Sequence, residues 1–169
     1  MGLKINRKYR RHADVAKAQR DKGKRGERDV INLLQPHVDF IYNAMRGAQT
    51  ALMASVETPE LKRNQLQSDG GGNDIHGLHW LSLEVKNQQA LSVESWWAQT
   101  LAQVKVGQVP VLMYKHRAKW HCVVLARVDG MADALRITMS VNEFGYWFRF
   151  TLWQQLWQEL QLLKIKGSK

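Results

Sequence analysis

A chain of 169 residues, 44% of them hydrophobic, is long enough for one domain in which a single sheet is covered by helices. The formal net charge of +10 points to a polyanionic partner, and neither a secretory apolar stretch nor a run long enough to span a bilayer is present. The lone cysteine, Cys122, excludes a disulfide within the chain and fits a reducing compartment such as a cytoplasm.

The charge is unevenly spread. Residues 1–28 carry eleven Lys or Arg against Asp14, Asp21 and Glu27, so +8 of the +10 falls in this segment. It is poor in large apolar residues, and residues 1–22 are expected to form a mobile basic arm ahead of a folded domain at 23–169. Arg7, Lys8, Arg10, Arg11, Lys24 and Arg25 suit contacts to nucleic-acid phosphates rather than to base edges. The acids among them and the lack of an amphipathic stripe argue against a transit peptide. A helix is predicted over 24–35, stopped by Pro36, with Val30, Leu33 and Leu34 on its buried side and Glu27 one turn ahead. Residues 38–56 also read as helical, and Pro59 closes them. A first strand is expected over 61–67, which brings Arg63 near the acidic residues that follow, where it could grip a phosphate.

Next comes the turn Gly70-Gly71-Gly72-Asn73-Asp74, whose glycines let the backbone approach a phosphate closely. Ser68 and Asp69 could contact DNA from the same loop. Residues 74–76 read as a short strand and 77–79 as its turn, which folds Asp74 back beside Glu84 in an antiparallel pair. The segment 81–86 alternates with period two: Leu81, Leu83 and Val85 face a core, while Ser82, Glu84 and Lys86 share the other face. Along a strand, Glu84 and Lys86 lie about 6.6 Å apart. Two converging carboxylates repel each other, and a divalent cation removes that conflict. Oxygen ligands suit Mg²⁺, with Mn²⁺ as a substitute. Such an ion polarises a phosphoryl oxygen and acidifies an attacking water, while Lys86 could orient that water or offset charge growing on phosphorus. Taken alone, a carboxylate-x-Lys tripeptide on a strand is more often part of a solvated sheet face.

Further along, Ser92 is the expected N-cap of a helix reaching about Lys105, with Val93, Trp96, Trp97, Thr100, Leu101 and Val104 as its apolar stripe and Gln99 and Gln103 on another face. The apolar run 109–114 reads as a central buried strand, parallel to 81–86 because a helix crosses over between them. A turn at 116–119 leads to a strand over 120–128. Residues 146–150 are predicted as a strand, and Thr151 with Gln154 as a capping box opening the last helix. His76, His79, His116 and His121 with Cys122 lack the paired cysteines of a zinc site. The seven tryptophans, dispersed over several elements, fit core packing better than base stacking.

The order Gly23-Lys24-Arg25-Gly26-Glu27, then Arg63 to Asp74, then Glu84-Val85-Lys86, then a helix with Gln99 and Gln103, resembles the PD-(D/E)XK nuclease superfamily. Within it the order is most similar to the Holliday junction resolvase-like branch, which includes many phage nucleases. The resemblance spans roughly residues 23 to 115. It implies an α/β, restriction-endonuclease-like mixed sheet flanked by helices, and a metal-dependent DNA endonuclease acting on branched DNA. It also implies a Mg²⁺ site formed by Asp74, Glu84, Glu27 and the backbone carbonyl of Val85, with Lys86 as the catalytic lysine. Gln99 matches the glutamine that several branches carry on the following helix, and Gln103 competes for that role. Asn73 stands where the family usually has proline. Dimeric resolvases act on two-fold junctions, so a homodimer is implied, in a bacterial cytoplasm or in the host cytoplasm of a phage. Two other readings stay open: a superfamily nuclease acting on flaps, ends or duplex DNA, and a noncatalytic DNA-binding protein of the same fold.

Overall fold

The computed structural model describes residues 7–64, 73–126 and 133–166, with the side chains of residues 7–11, Thr50 and Lys166 outside the description. Helix α1 (Arg7–Ala48) is followed by the short α2 (Thr50–Met53), and then by two-residue strands β1 (Lys62–Arg63) and β2 (Ile75–His76). Strand β3 (Leu81–Lys86), helix α3 (Val93–Gln103), strands β4 (Val109–His116), β5 (Lys119–Ala126) and β6 (Leu135–Ser140), and helix α4 (Val141–Lys166) complete the order.

Helix α1 differs from expectation at both ends. It begins at Arg7 rather than at Lys24, because residues 7–22 hold no glycine or proline and are rich in Ala, Lys, Arg and Gln, all strong helix formers. It also passes through Pro36, at a cost of about 3 kcal/mol for the lost hydrogen bond and ring clash. Beyond the proline, Val38, Ile41, Tyr42 and Met45 are all buried at helical spacing. Burying each such side chain stabilises by roughly 1.5–3 kcal/mol, so packing outweighs the proline.

The four-stranded sheet runs β3-β4-β5-β6, with β3 and β4 parallel and the other neighbours antiparallel. It is therefore a mixed α/β sheet with helices on both faces. As the sequence predicts, α3 is the crossover that makes β3 and β4 parallel. Leu81, Leu83, Val85, Val111, Met113, Cys122 and Val124 meet α1 and α4 in the main core. Leu112, Tyr114 and Val123 meet Trp96 and Trp97 of α3 on the opposite face. Two closed faces rule out the solvated sheet face that the tripeptide taken alone suggests: Ser82 and Glu84 are as buried as their apolar neighbours.

The expected strand over 146–150 is instead part of α4. Phe144, Phe148, Leu152, Leu156 and Leu160 recur every four residues and are almost fully buried, so helical packing overrides the β propensity of the aromatic residues. Its start is not at Thr151 and Gln154. The Ser140 N–H donates to the Glu143 carboxylate at 2.7 Å and the Glu143 N–H to Ser140 Oγ at 3.4 Å, which is a reciprocal capping box. Strand β6 is absent from the sequence expectation altogether. Helices α1 and α4 meet where Gly145 lies against His37, and Arg149 Nε donates to His37 Nδ1 at 2.6 Å. Burial, and then the Arg149 charge, hold His37 below its usual value of 6.5, so it accepts as neutral imidazole. Among the described residues no helix is long and apolar enough to cross a membrane.

Candidate active site

Asp74 is fastened to β3 by both backbone and side chain. Its N–H donates to the Leu83 carbonyl at 2.9 Å, and its Oδ2 accepts the Val85 N–H at 2.6 Å. The expected fold-back of Asp74 beside Glu84 is therefore present. The strand that follows Asp74, however, completes its ladder with β1 as a separate two-stranded sheet, Arg63 opposite Ile75. β1 itself covers only Lys62 and Arg63 of the expected 61–67, of which 65–67 lie outside the described residues.

Asn73, just before Asp74, is a tether. Its Nδ2 donates to the Leu81 carbonyl at 3.0 Å, and its Oδ1 accepts from Ser82 Oγ at 2.6 Å. Asn64 grips the same turn from the other side, through the Asn73 carbonyl at 3.0 Å and the Asp74 carbonyl at 2.8 Å. The signal for this tether in the sequence is a side-chain amide ahead of a strand that carries a hydroxyl at Ser82.

Glu84, at the middle of β3, is 3% exposed, and its Oε1 lies 2.5 Å from Lys86 Nζ. Glu27 comes from α1, and its Oε2 accepts from Arg63 Nε at 2.5 Å. Arg63 is thus beside the site as expected, with its guanidinium on a carboxylate. The helix reaches this close because residue 26 is glycine. A Cβ there would lie 2.7 Å from Asn87 Cβ, and Asn87 Nδ2 donates to the Lys22 carbonyl at 3.1 Å. Gly26, which the sequence marks only as part of the motif at 23–27, and Asn87, which the sequence pattern does not mark, set the distance from α1 to the end of β3.

Glu27, Asp74, Glu84, Val85, Lys86, Gln99 and Gln103 all line one open cavity of about 920 Å³. Both glutamines reach it, one turn apart on α3, so the competition between them stays open. Arg25 also lines it, whereas Lys24 is exposed on α1 and lies outside the cavity. Arg7, Lys8, Arg10 and Arg11 contribute backbone to α1, with side chains outside the description; Ser68, Asp69 and the three glycines lie outside the described residues.

Electrostatically the cavity is strained in one direction. Burial first, then the Glu84 charge and, more weakly, Glu27, push the Asp74 carboxyl up from 3.8 to about 7, against the opposing Val85 N–H and Lys86. A divalent ion would relieve that repulsion, and the donors are hard oxygens, so Asp74 and Glu84 fit such an ion chemically. Among the described residues, however, no three acidic, histidine or cysteine side chains form a ready-made metal group. Glu84 is turned onto Lys86 and Glu27 onto Arg63. The site can therefore hold its carboxylates through internal ion pairs, or exchange those pairs for a cation. No family model matches this chain, and neither a curated protein nor a solved structure matches it.

Proposed function

We propose that this chain is a Mg²⁺-dependent endodeoxyribonuclease of the PD-(D/E)XK type, with a restriction-endonuclease-like fold, that cuts branched DNA as a Holliday junction resolvase does. One observation carries the reading: Glu27, Asp74, Glu84 and Lys86, contributed by three separate parts of the chain, line a single cavity in which burial first, and then the Glu84 charge, push the Asp74 carboxyl up to about 7. A buried carboxyl facing two others costs a purely structural network stability, whereas it suits a metal-dependent phosphodiesterase, whose cation offsets the repulsion.

Asp74 and Glu84 would hold the ion, with Glu27 joining from α1; when bound, it supplies Lewis acidity toward a phosphoryl oxygen. The Val85 N–H holds the Asp74 carboxylate, and Asn73 ties the turn before it to Leu81 and Ser82 of β3. Lys86, released from Glu84, places its ammonium against the charge that builds on the phosphoryl oxygens as water adds to phosphorus and the ester bond breaks. Gln99 or Gln103 positions that water or the scissile phosphate from the wall opposite. We assign a homodimer to match a two-fold junction, with Tyr146, Phe150 and Trp157, exposed on one face of α4, as the surface a second copy would cover. Sedimentation of the purified protein tests that assignment: a monomer at micromolar concentration rejects it.

A second reading has its own support. Because both Glu84 and Glu27 carry internal cationic partners, a noncatalytic DNA-binding protein of this fold needs no metal. Labelled four-way junctions, flaps and linear duplexes incubated with Mg²⁺ or EDTA separate the two. Paired symmetric nicks in the junction, absent in EDTA and in Glu84→Ala and Lys86→Ala variants, are the expected result. Cutting of flaps or duplex alone shifts the substrate, and binding without cutting in Mg²⁺ and Mn²⁺ favours the noncatalytic reading.

A further inference from the structure

Beside the carboxylate cavity lies a second pocket of about 560 Å³, between α1 and the hairpin that joins β4 to β5. Lys22, Arg25, Asn87, Gln88 and Gln89 line both, so the two form one continuous groove. Their charge differs. Lys22, Arg25, Lys115 and Arg117 face the second pocket against one carboxylate, Asp29. The first balances Lys22, Arg25 and Lys86 against three carboxylates.

The hairpin is built to present these cations. Lys115 and Trp120 are cross-strand partners, as are His116 and Lys119, so the turn consists of Arg117 and Ala118 alone. Both have positive φ, +46° and +63°, the conformation of a two-residue turn matched to strand twist. Glycine and asparagine are the usual residues there, and left-handed backbone costs an arginine or alanine roughly 1 kcal/mol each. The Arg117 side chain is exposed at this tip. Lys115 Nζ is steadied by Asp29 at 3.3 Å and by the Trp120 ring, 5.4 Å away. On α1, Lys22, Arg25 and Asp29 recur three and four residues apart, so they share the face that looks at the hairpin. Exposed amides at Gln88 and Gln89 add donors that read no sequence.

We propose that this pocket seats the phosphodiester backbone of the DNA strand as it leaves the carboxylate cavity, with Arg117, Lys22 and Arg25 on the phosphates and Lys115 in reserve behind Asp29. The proposal rests on the nuclease reading for what lies in the neighbouring cavity, but the basic groove can be tested without cleavage. It places the decisive contacts on the β4–β5 hairpin, which the charge distribution of the sequence does not single out.

The test is fluorescence anisotropy of a labelled duplex and a labelled four-way junction in EDTA, over a salt series. Arg117→Asn removes the charge while keeping a residue that tolerates positive φ, and Lys105→Ala removes a cation from the loop that leads into β4, at the far end of that strand. Thermal melting checks that both variants fold. Arg117→Asn should weaken binding about five- to tenfold at moderate salt and lower the slope of log K against log salt by roughly one, with Lys105→Ala unchanged. Equal binding and equal slopes in the two variants would overturn the groove, and Mg²⁺-dependent cutting by the wild-type protein would then still stand. A selective Arg117 effect without any cutting would keep the groove and reject the nuclease.

Discussion

The two halves of the groove hold cations in opposite ways. In the carboxylate cavity Lys86 is 15% exposed and lies on Glu84, and beside it Arg63, 19% exposed, lies on Glu27. In the hairpin pocket Arg117 is exposed, and Lys115 leans on Asp29 at a longer 3.3 Å. Desolvated charges interact strongly but must be paired, whereas solvated charges interact weakly and release counterions when a phosphate arrives. On the proposed reading, the first half serves chemistry at a fixed point and the second holds a polymer whatever its sequence. Substitutions on the two sides should therefore fail differently.

The largest effects belong to the buried half. Glu84→Ala and Lys86→Ala should lower the single-turnover cleavage rate by about 10³-fold or more while leaving DNA affinity in EDTA within about threefold of wild type. A matched loss of affinity in either variant would erase the distinction between the halves.

Asp74→Asn should also abolish cutting, and it carries a pH signature in stability. Because the folded Asp74 carboxyl is raised from 3.8 to about 7, the folded chain binds that proton more tightly than the unfolded chain. The group therefore favours folding fully below about pH 4, and the contribution, up to about 4 kcal/mol, is lost as pH rises through 7. In EDTA, wild-type Tm should fall from pH 5 to pH 8, and Asp74→Asn should flatten that fall and melt several degrees higher at pH 8. A variant that melts lower at pH 8 would show that the carboxylate is a net structural partner.

Gly26→Ala tests how α1 is brought to the site. The added methyl meets Asn87 Cβ at 2.7 Å, so the helix must retreat or Asn87 must shift, at about 1–3 kcal/mol. A retreat displaces Glu27, and a misplacement of that order costs about 10²-fold in rate. Unchanged Tm and rate would show that α1 is not held by this contact. Smaller still, Arg117→Asn should raise KM for DNA without changing kcat at saturation, and a fall in kcat would move the hairpin into the chemistry.

Much of the site was legible because it depends on local rules. Period-two alternation puts Glu84 and Lys86 on one face, and a short turn brings Asp74 back to them, which pattern alone can state. The crossover helix and the parallel pairing of β3 with β4 followed from an apolar run after an amphipathic one. What pattern does not carry is how many layers cover a strand. Glu84 stands on a face that pattern alone leaves open to solvent, until α3 packs against β3 and β4 and Glu84 is buried. Pro36 and the aromatic run at 146–150 mislead for the same reason, since both yield to burial spread along a whole helix. The start of α4 was available in Ser140 and Glu143 as a capping pair, but Thr151 with Gln154 fits the same pattern and sits beside a stronger apolar run. The bracing role of Asn73 is not legible because it depends on the Leu81 carbonyl and the Ser82 hydroxyl of a strand still to come.

Calorimetric titration of Mg²⁺ into the protein at pH 6 and pH 8, beside Asp74→Asn and Glu84→Ala, tests most directly whether the carboxylates are a cation site or a closed set of ion pairs. Saturable binding at pH 8 that weakens at pH 6, where Asp74 keeps its proton, and that disappears in both variants is the predicted result. No binding at either pH, or binding that Asp74→Asn leaves unchanged, would contradict it.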